Sequence, residues 1–371
     1  MTFPFDALRR RPDIEGEGLV AVDAADRLIL DESASARSGL TAGELVVIGD
    51  AYGALTLAAL HDGAEDVRVH QDALTGERAL AANAVDLGVT GYRSLGLTAD
   101  LVRGARVVLL RLPRALDALD DIAGLIAAHA APDVVVYAGG RIKHMAVAMN
   151  DVLRAHFARL DVTHARQKSR VLVAREPLAG RDPQPRTARH GDVTVRALGG
   201  VFAGTGIDIG TRLLLESLPR EIPGDDALVD LACGTGVVAV SLARQHPDRV
   251  VYACDLSAAA VASAQATAEA NGVADRVRVV RDDGVAALPD ASVSFIALNP
   301  PFHSGAAVTD EIAPRLFAGA ARVLRPGGEL WTVWNSPLRY RAELERVVGP
   351  TRQVARNAKF TVTASVRRTA R

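Results

Sequence analysis

Asn299-Pro300-Pro301-Phe302 stands directly after the apolar run Val293–Leu298 and joins a carboxamide, a stiffened turn and an aromatic face. Proline fixes φ, so the two prolines hold the loop and the aim of the Pro300 carbonyl. That carbonyl and the Asn299 side-chain oxygen form a pair of acceptors able to grip both N–H bonds of an exocyclic amine. Such an amine is a poor nucleophile because its lone pair is delocalised into the ring. Gripping it turns the lone pair toward an electrophile by positioning and local electrostatics, with no covalent intermediate. Phe302 offers a stacking face worth about 1–3 kcal/mol per base. A rigid turn around a buried Phe is the other use of these residues. His303 reads equally as a substrate contact or as loop surface.

Upstream, Val229-Asp230-Leu231-Ala232-Cys233-Gly234-Thr235-Gly236 lies at a strand-to-helix turn, where glycines let backbone approach a ligand. Gly234-x-Gly236-x-x-Ala239 also satisfies the dinucleotide fingerprint, with Asp255 placed for a ribose hydroxyl, so a nicotinamide-dependent dehydrogenase is one reading. Two features favour another. Asp230 precedes the first glycine by four residues, where its charge would repel a pyrophosphate but can face the cationic end of S-adenosylmethionine. The Asn-Pro-Pro-Phe loop follows a strand, at the end of the sheet where open α/β folds bind ligands. Asp255 closes its strand and suits the ribose hydroxyls, with Leu256 beside it; a helix N-cap through Ser257 competes for the same group. Asp282 and Asp283 are placed to accept from the adenine amine, or are exposed loop acids. Cys233 sits within the turn and is grouped with the cofactor residues, although both cysteines, Cys233 and Cys254, read as small core residues.

The elements that must carry these groups alternate short β-branched runs with Ala/Leu-rich stretches, the pattern of parallel α/β sheets. In the C-terminal half strands are expected at Leu228–Leu231, Val250–Cys254, Val277–Val280, Val293–Leu298, Glu329–Val333 and Phe360–Val366, with helices at Thr211–Leu218, Val237–Gln245, Ala258–Asn271 and Ile312–Leu324. The N-terminal half repeats the order more faintly. Its strands are expected at Leu45–Ile48, Val67–His70, Arg106–Arg111, Val134–Tyr137 and Arg170–Ala174, and its helices near Ala54–Leu60, Thr75–Leu87 and Ile122–His129. The glycine turn there becomes Gly49-Asp50-Ala51-Tyr52-Gly53, and the position of the Asn-Pro-Pro-Phe loop reads Tyr137-Ala138-Gly139-Gly140. The proline-bearing stretch 176–192 reads as a linker between a first domain, 1–175, and a second, 193–371.

The 371 residues, 49% hydrophobic and 23% charged, suffice for two cores. No run is long and apolar enough to span a bilayer, and the N-terminus does not read as a secretory signal, so a cytoplasmic protein without membrane contact is expected. Two cysteines exclude a disulfide framework or cysteine-rich zinc site, and no metal is expected. The net charge of −1 gives no bulk attraction to nucleic acid, but cations cluster. Eight lie in 141–175 against Asp151 and Asp161. Nine lie in 337–371 (Arg339, Arg341, Arg346, Arg352, Arg356, Lys359, Arg367, Arg368, Arg371) against Glu343 and Glu345. Either cluster is a solvated face or a nucleic-acid surface.

Taken together, these motifs resemble the ribosomal RNA guanine-N2 methyltransferases of the RsmC/RlmG type. The resemblance covers 195–366 well and 40–175 more faintly. Val201-Phe202 followed by Ile207-Asp208-Ile209-Gly210-Thr211 resembles the family's entry segment, which implies that Phe202, Asp208, Gly210 and Thr211 close over the methionine end of the cofactor. Asn-Pro-Pro-Phe-His is the family form of the tetrapeptide. Thr309-Asp310 and Asn357-Ala358-Lys359-Phe360 resemble the large-subunit branch. Ser294 departs from the family, which carries Asp there, without touching a proposed catalytic group.

The resemblance implies two tandem Rossmann-like methyltransferase-type domains, the N-terminal one degenerate and binding RNA. It implies S-adenosylmethionine as cofactor, ribosomal RNA or a ribosomal subunit precursor as partner, and Asn299, Pro300, Pro301 and Phe302 as the catalytic loop. Asn299 also borders the cofactor set of Asp230, Cys233, Gly234, Gly236, Asp255, Leu256, Asp282 and Asp283. Protein-glutamine N5-methyltransferases share a similar tetrapeptide but pair it with a small helical domain. A DNA amino-methyltransferase would need a target-recognition domain, and a non-catalytic assembly factor would show decayed cofactor motifs.

Overall fold

The computed structural model describes residues 2–301 and 309–369. Its strands in the first half are β1 (Leu45–Ile48), β2 (Val67–His70), β3 (Tyr92–Ser94), β4 (Val107–Arg111), β5 (Val135–Arg141), β6 (Phe157–Val162) and β7 (Ser169–Pro177). In the second half they are β8 (Arg186–His190), β9 (Val193–Ala197), β10 (Leu228–Leu231), β11 (Val251–Asp255), β12 (Val277–Arg281), β13 (Val293–Leu298), β14 (Leu324–Asn335), β15 (Thr351–Arg356) and β16 (Phe360–Val366). Two seven-stranded sheets result, ordered β3-β2-β1-β4-β5-β7-β6 and β12-β11-β10-β13-β14-β16-β15. Each has five parallel strands and an antiparallel hairpin at one edge. The class is α/β with two Rossmann-like mixed sheets.

The chain divides into two compact units, Met1–Gln184 with Leu198–Gly200, and Pro185–Ala197 with Val201–Arg371. Within each, β-branched and leucine side chains alternate across the pleat and fill a core on both faces. In the second unit Val229, Leu231, Ile296 and Leu298 pack one way with Phe317. Leu228, Phe295 and Trp331 pack the other way, against the helix Val237–Gln245.

The stretch expected as a linker, 176–192, carries the end of β7 and all of β8, which pairs with β9 around Gly191 at φ 63°. Its Arg-rich composition hides the strand because β8 pairs on one side only. Tyr137-Ala138-Gly139-Gly140, expected as the counterpart of the Asn-Pro-Pro-Phe loop, lies instead inside β5. A Cβ on Gly139 would come 2.4 Å from Ile29 Cγ1, so glycine there lets the helix Ala24–Arg37 rest on the strand. In the sheet order β5 corresponds to β14, and the strand matching β13 is β4. Ile48 faces Leu110 as Leu231 faces Leu298. The true counterpart of Asn299-Pro300-Pro301-Phe302 is therefore Arg111-Leu112-Pro113-Arg114.

Candidate active site

β10 ends in Asp230-Leu231, and the chain turns through Ala232 (φ 59°), Gly234 (φ 53°) and Gly236 (φ 76°) into the helix Val237–Gln245. A Cβ on Gly234 would meet nothing within 4 Å, so that backbone faces open space. A Cβ on Gly236 would lie 2.9 Å from Ala264 Cβ, so this glycine serves helix packing. Asp255 braces the turn: one oxygen accepts from Gly234 N at 3.0 Å and the other from Ser257 N at 3.0 Å. Ser257 itself caps the helix Ala258–Ala270 through its hydroxyl, which releases Asp255 from that duty.

Asp230 shares the face of Leu228 and is only 3% exposed; it accepts from Ala239 N at 2.9 Å. Burial, with the Asp255 charge adding to it, pushes the Asp230 carboxyl up to about 7. A buried acid so placed is stabilised as an anion by a positively charged ligand. Asp282 is buried as well, with oxygens accepting from Asp283 N at 2.8 Å and Ala287 N at 3.0 Å, while Asp283 pairs with Arg315 at 3.6 Å. The Leu256 carbonyl accepts from Arg281 Nε at 3.3 Å. Burial pushes both thiols far up, and Cys254 Sγ donates to the Gly284 carbonyl at 2.9 Å, so these cysteines are inert core groups.

Asn299 leaves β13 at the same end of the sheet, half-buried. Its Nδ2 donates to Thr211 Oγ1 at 2.8 Å and lies 3.5 Å from Asp208 Oδ2. A carboxylate only accepts, so the nitrogen must be the amide atom on that side. The Asn299 Oδ1 atom is then buried with no hydrogen-bond partner among the described residues. Asp208 caps the helix Ile209–Ser217, accepting from Gly210 N at 2.9 Å and Thr211 N at 3.2 Å. A Cβ on Gly210 would press on Asp208 and the Phe360 ring at 2.9 and 3.0 Å. Expected as cofactor contacts, Asp208 and Thr211 thus act first on Asn299.

Pro300 is buried and Pro301 exposed. Phe202 is 57% exposed. Phe302 and His303 lie outside the described residues. Ser294, near the start of β13, joins Asp226 at 2.6 Å and Arg249 at 3.1 Å, at the sheet's opposite end. One positioning residue escaped the sequence: Thr332 Oγ1 donates to the Leu298 carbonyl at 3.1 Å, fixing the strand end before Asn299. Nothing in its local sequence marks it.

A buried acid that favours a cation, a glycine open to space and an orphaned amide oxygen thus stand at the carboxyl ends of the neighbouring strands β10 and β13. No metal-binding cluster occurs among the described residues.

Residues 2–178 match the model described as RLMG N-terminal domain, and 192–364 the model described as Methyltransferase small domain. The chain is 35% identical to the ribosomal RNA large subunit methyltransferase G of Streptomyces avermitilis, over 99% of each chain. The chain belongs to the ribosomal RNA large subunit methyltransferase G family. The family's protein from Pseudomonas paraeruginosa is also 35% identical, over 96% of each chain. A solved structure, the 16S rRNA N2 G1207 methyltransferase (RsmC) of T. thermophilus in complex with AdoMet and guanosine, matches with a TM-score of 0.75 and 24% identity. It covers 93% of this chain and 92% of its own, and the likeness is one of fold. The first matched segment falls on the first unit, and the second on the second unit apart from Leu198–Gly200.

Proposed function

We propose that the chain transfers a methyl group from S-adenosylmethionine to the exocyclic N2 amine of a guanine in ribosomal RNA, large-subunit RNA being favoured. The observation that carries this is the buried, unpartnered Oδ1 of Asn299, whose amide nitrogen is clamped by Thr211 and Asp208. An acceptor held this way has its desolvation cost met before substrate arrives and makes its hydrogen bond only when an N–H donor enters.

Asp230 and Asp255, with the open backbone at Gly234, would hold the cofactor; Cys233, Gly236, Leu256, Asp282 and Asp283 line its surroundings, and Phe202 and Gly210 stand at the entry segment. When bound, the cofactor supplies an electrophilic methyl group. Asn299 Oδ1 and the Pro300 carbonyl accept the two N–H bonds of the guanine amine and turn its lone pair outward. The same two oxygens stabilise the positive charge that grows on nitrogen. Neither is basic enough to keep a proton, so the surplus one passes to solvent. Pro300 and Pro301 keep the carbonyl aimed, and Phe302 stacks the base. The first unit, 1–175 in the sequence division, binds RNA and no cofactor.

The test is incubation with labelled S-adenosylmethionine and separated ribosomal RNAs from a strain lacking the gene, followed by nucleoside analysis. Label in N2-methylguanosine of large-subunit RNA is expected. Label in methyladenosine or in a protein glutamine would overturn the guanine assignment while leaving the amine chemistry.

A further inference from the structure

The cations of the first unit differ in their partners, and Arg9 and Arg68 donate to backbone carbonyls. Most arginines are matched by carboxylates: Arg93 with Asp66, Arg106 with Asp133, Arg154 with Asp151, Arg166 with Glu32 and Arg175 with Asp161. Arg114, Arg141, Lys143 and Lys168 have no carboxylate partner among the described residues. These four converge at one place. Arg114 follows the carboxyl end of β4, Arg141 ends β5 beside it, and Lys143 lies in the short turn Ile142–His144. Lys168 enters from the β6–β7 turn, where its carbonyl accepts from Ile142 N at 2.9 Å and Ser169 pairs with Arg141.

The four therefore stand at the end of the sheet that in the second unit presents the glycine turn and Asn299. Neighbouring strands lie about 4.8 Å apart, so cations on adjacent strand ends form a row suited to a repeating anion. His144 lies among them: partial burial, then the charges of Arg114, Lys143 and Arg141, lower its pKa against the smaller opposing charge of Asp23. Its neutral ring, with the exposed side chains of Ile142 and Val147, supplies non-ionic contact for sugars and bases.

We infer that this rim of Arg114, Arg141, Lys143 and Lys168 docks the phosphate backbone of the RNA substrate. The inference rests on the proposed function, because it takes RNA over an acidic peptide as the repeating anion.

The experiment uses the full chain, a fluorescent fragment of large-subunit ribosomal RNA that the wild type methylates, and anisotropy titrations across a salt series. The triple variant Arg114→Glu/Lys143→Glu/Lys168→Glu should bind at least about tenfold more weakly, with a salt slope shallower by roughly 2–3. A control with the same charge change, Arg93→Glu/Arg103→Glu/Arg106→Glu, should lose much less. S-adenosylmethionine affinity, unchanged in both, verifies that the second unit is folded, and the milder Lys143→Ala should alone lower the slope by about 1. Equal loss in both triple variants, or wild-type binding by the rim variant, overturns the rim. An unmodified chain that neither binds nor methylates any ribosomal RNA fragment overturns the proposed function, and the rim with it.

Discussion

The two units share a strand order but differ at the positions where the second is proposed to hold its ligand. Where β10 carries Asp230, β1 carries Val47; where β11 ends in Asp255, Gln71 follows β2; Gly234 is matched by Ala51. Only the packing glycine persists, as Gly53 and Gly236, each in the left-handed region at the start of a helix. The first unit's turn is closed on itself, since Asp50 accepts from Gly53 N, Thr56 N and Thr56 Oγ1 at 3.1, 2.8 and 2.7 Å. Its own N-terminal segment covers the turn, with Tyr52 donating to Asp13 at 2.6 Å and Arg10 resting on the ring.

One contact is retained with its chemistry exchanged. In the second unit a helix cap, Asp208, and the residue three positions on, Thr211, hold Asn299. In the first, the cap Asp23 and the residue three positions on, Asp26, hold Arg111. Burial keeps the Asp26 carboxyl up at about 6 even beside the guanidinium, whereas Asp23, opposed by burial too, is held below the ordinary range by its hydrogen bonds and the Arg111 charge. A scaffold thus keeps its brace while one copy converts a poised amide into an internal ion cluster. Fold and function part here: the two units share a sheet order and differ in a few side chains at its carboxyl end.

Transplanting the brace gives the largest effect. Asn299→Arg with Thr211→Asp should preserve the melting temperature to within a few degrees and lower turnover by about 10³-fold or more, because the amine loses its acceptor. Turnover near wild type would show that the brace carries no catalytic meaning. In the first unit, Arg111→Ala strands two carboxylates and should cost about 3–5 kcal/mol in urea unfolding, with S-adenosylmethionine affinity unchanged. A change in that affinity would place a cofactor in the first unit.

Smaller effects concern the cofactor. Asp255→Ala should weaken S-adenosylmethionine binding by roughly 1.5–3 kcal/mol by calorimetry; wild-type affinity would remove it from the site. For Asp230, with its carboxyl at about 7, a cationic ligand binds the ionised form, so affinity is lost as pH falls through 7. Binding should be about tenfold weaker at pH 6 than at pH 8, and Asp230→Asn should flatten that dependence. An unchanged slope in Asp230→Asn would assign the titration elsewhere.

The groups proposed to face the ligand were legible in the sequence because each is local: an acid and glycines at one turn, Asn-Pro-Pro after one strand. The braces were not, since Asn299 reaches Thr211 and Asp208 across 88 and 91 residues. The helix Ala24–Arg37 went unseen because Asp31, Glu32, Ser33 and Ser35 interrupt its apolar stripe, although Asp23 and Asp26 form a capping box at its start. β15 (Thr-Arg-Gln-Val-Ala-Arg) is an edge strand with little apolar content. Glycines near a strand end drew the counterpart of the catalytic loop to β5, and only the pairing register moved it to β4.

Asn299 is proposed to act on the amine in the transition state rather than on cofactor binding. Single-turnover methylation by Asn299→Ala, at saturating S-adenosylmethionine and RNA, tests it directly. The rate of N2-methylguanosine formation should fall about 10²–10³-fold while the cofactor dissociation constant stays within about twofold of wild type. A near-normal rate, or a loss explained wholly by weaker cofactor binding, would contradict it.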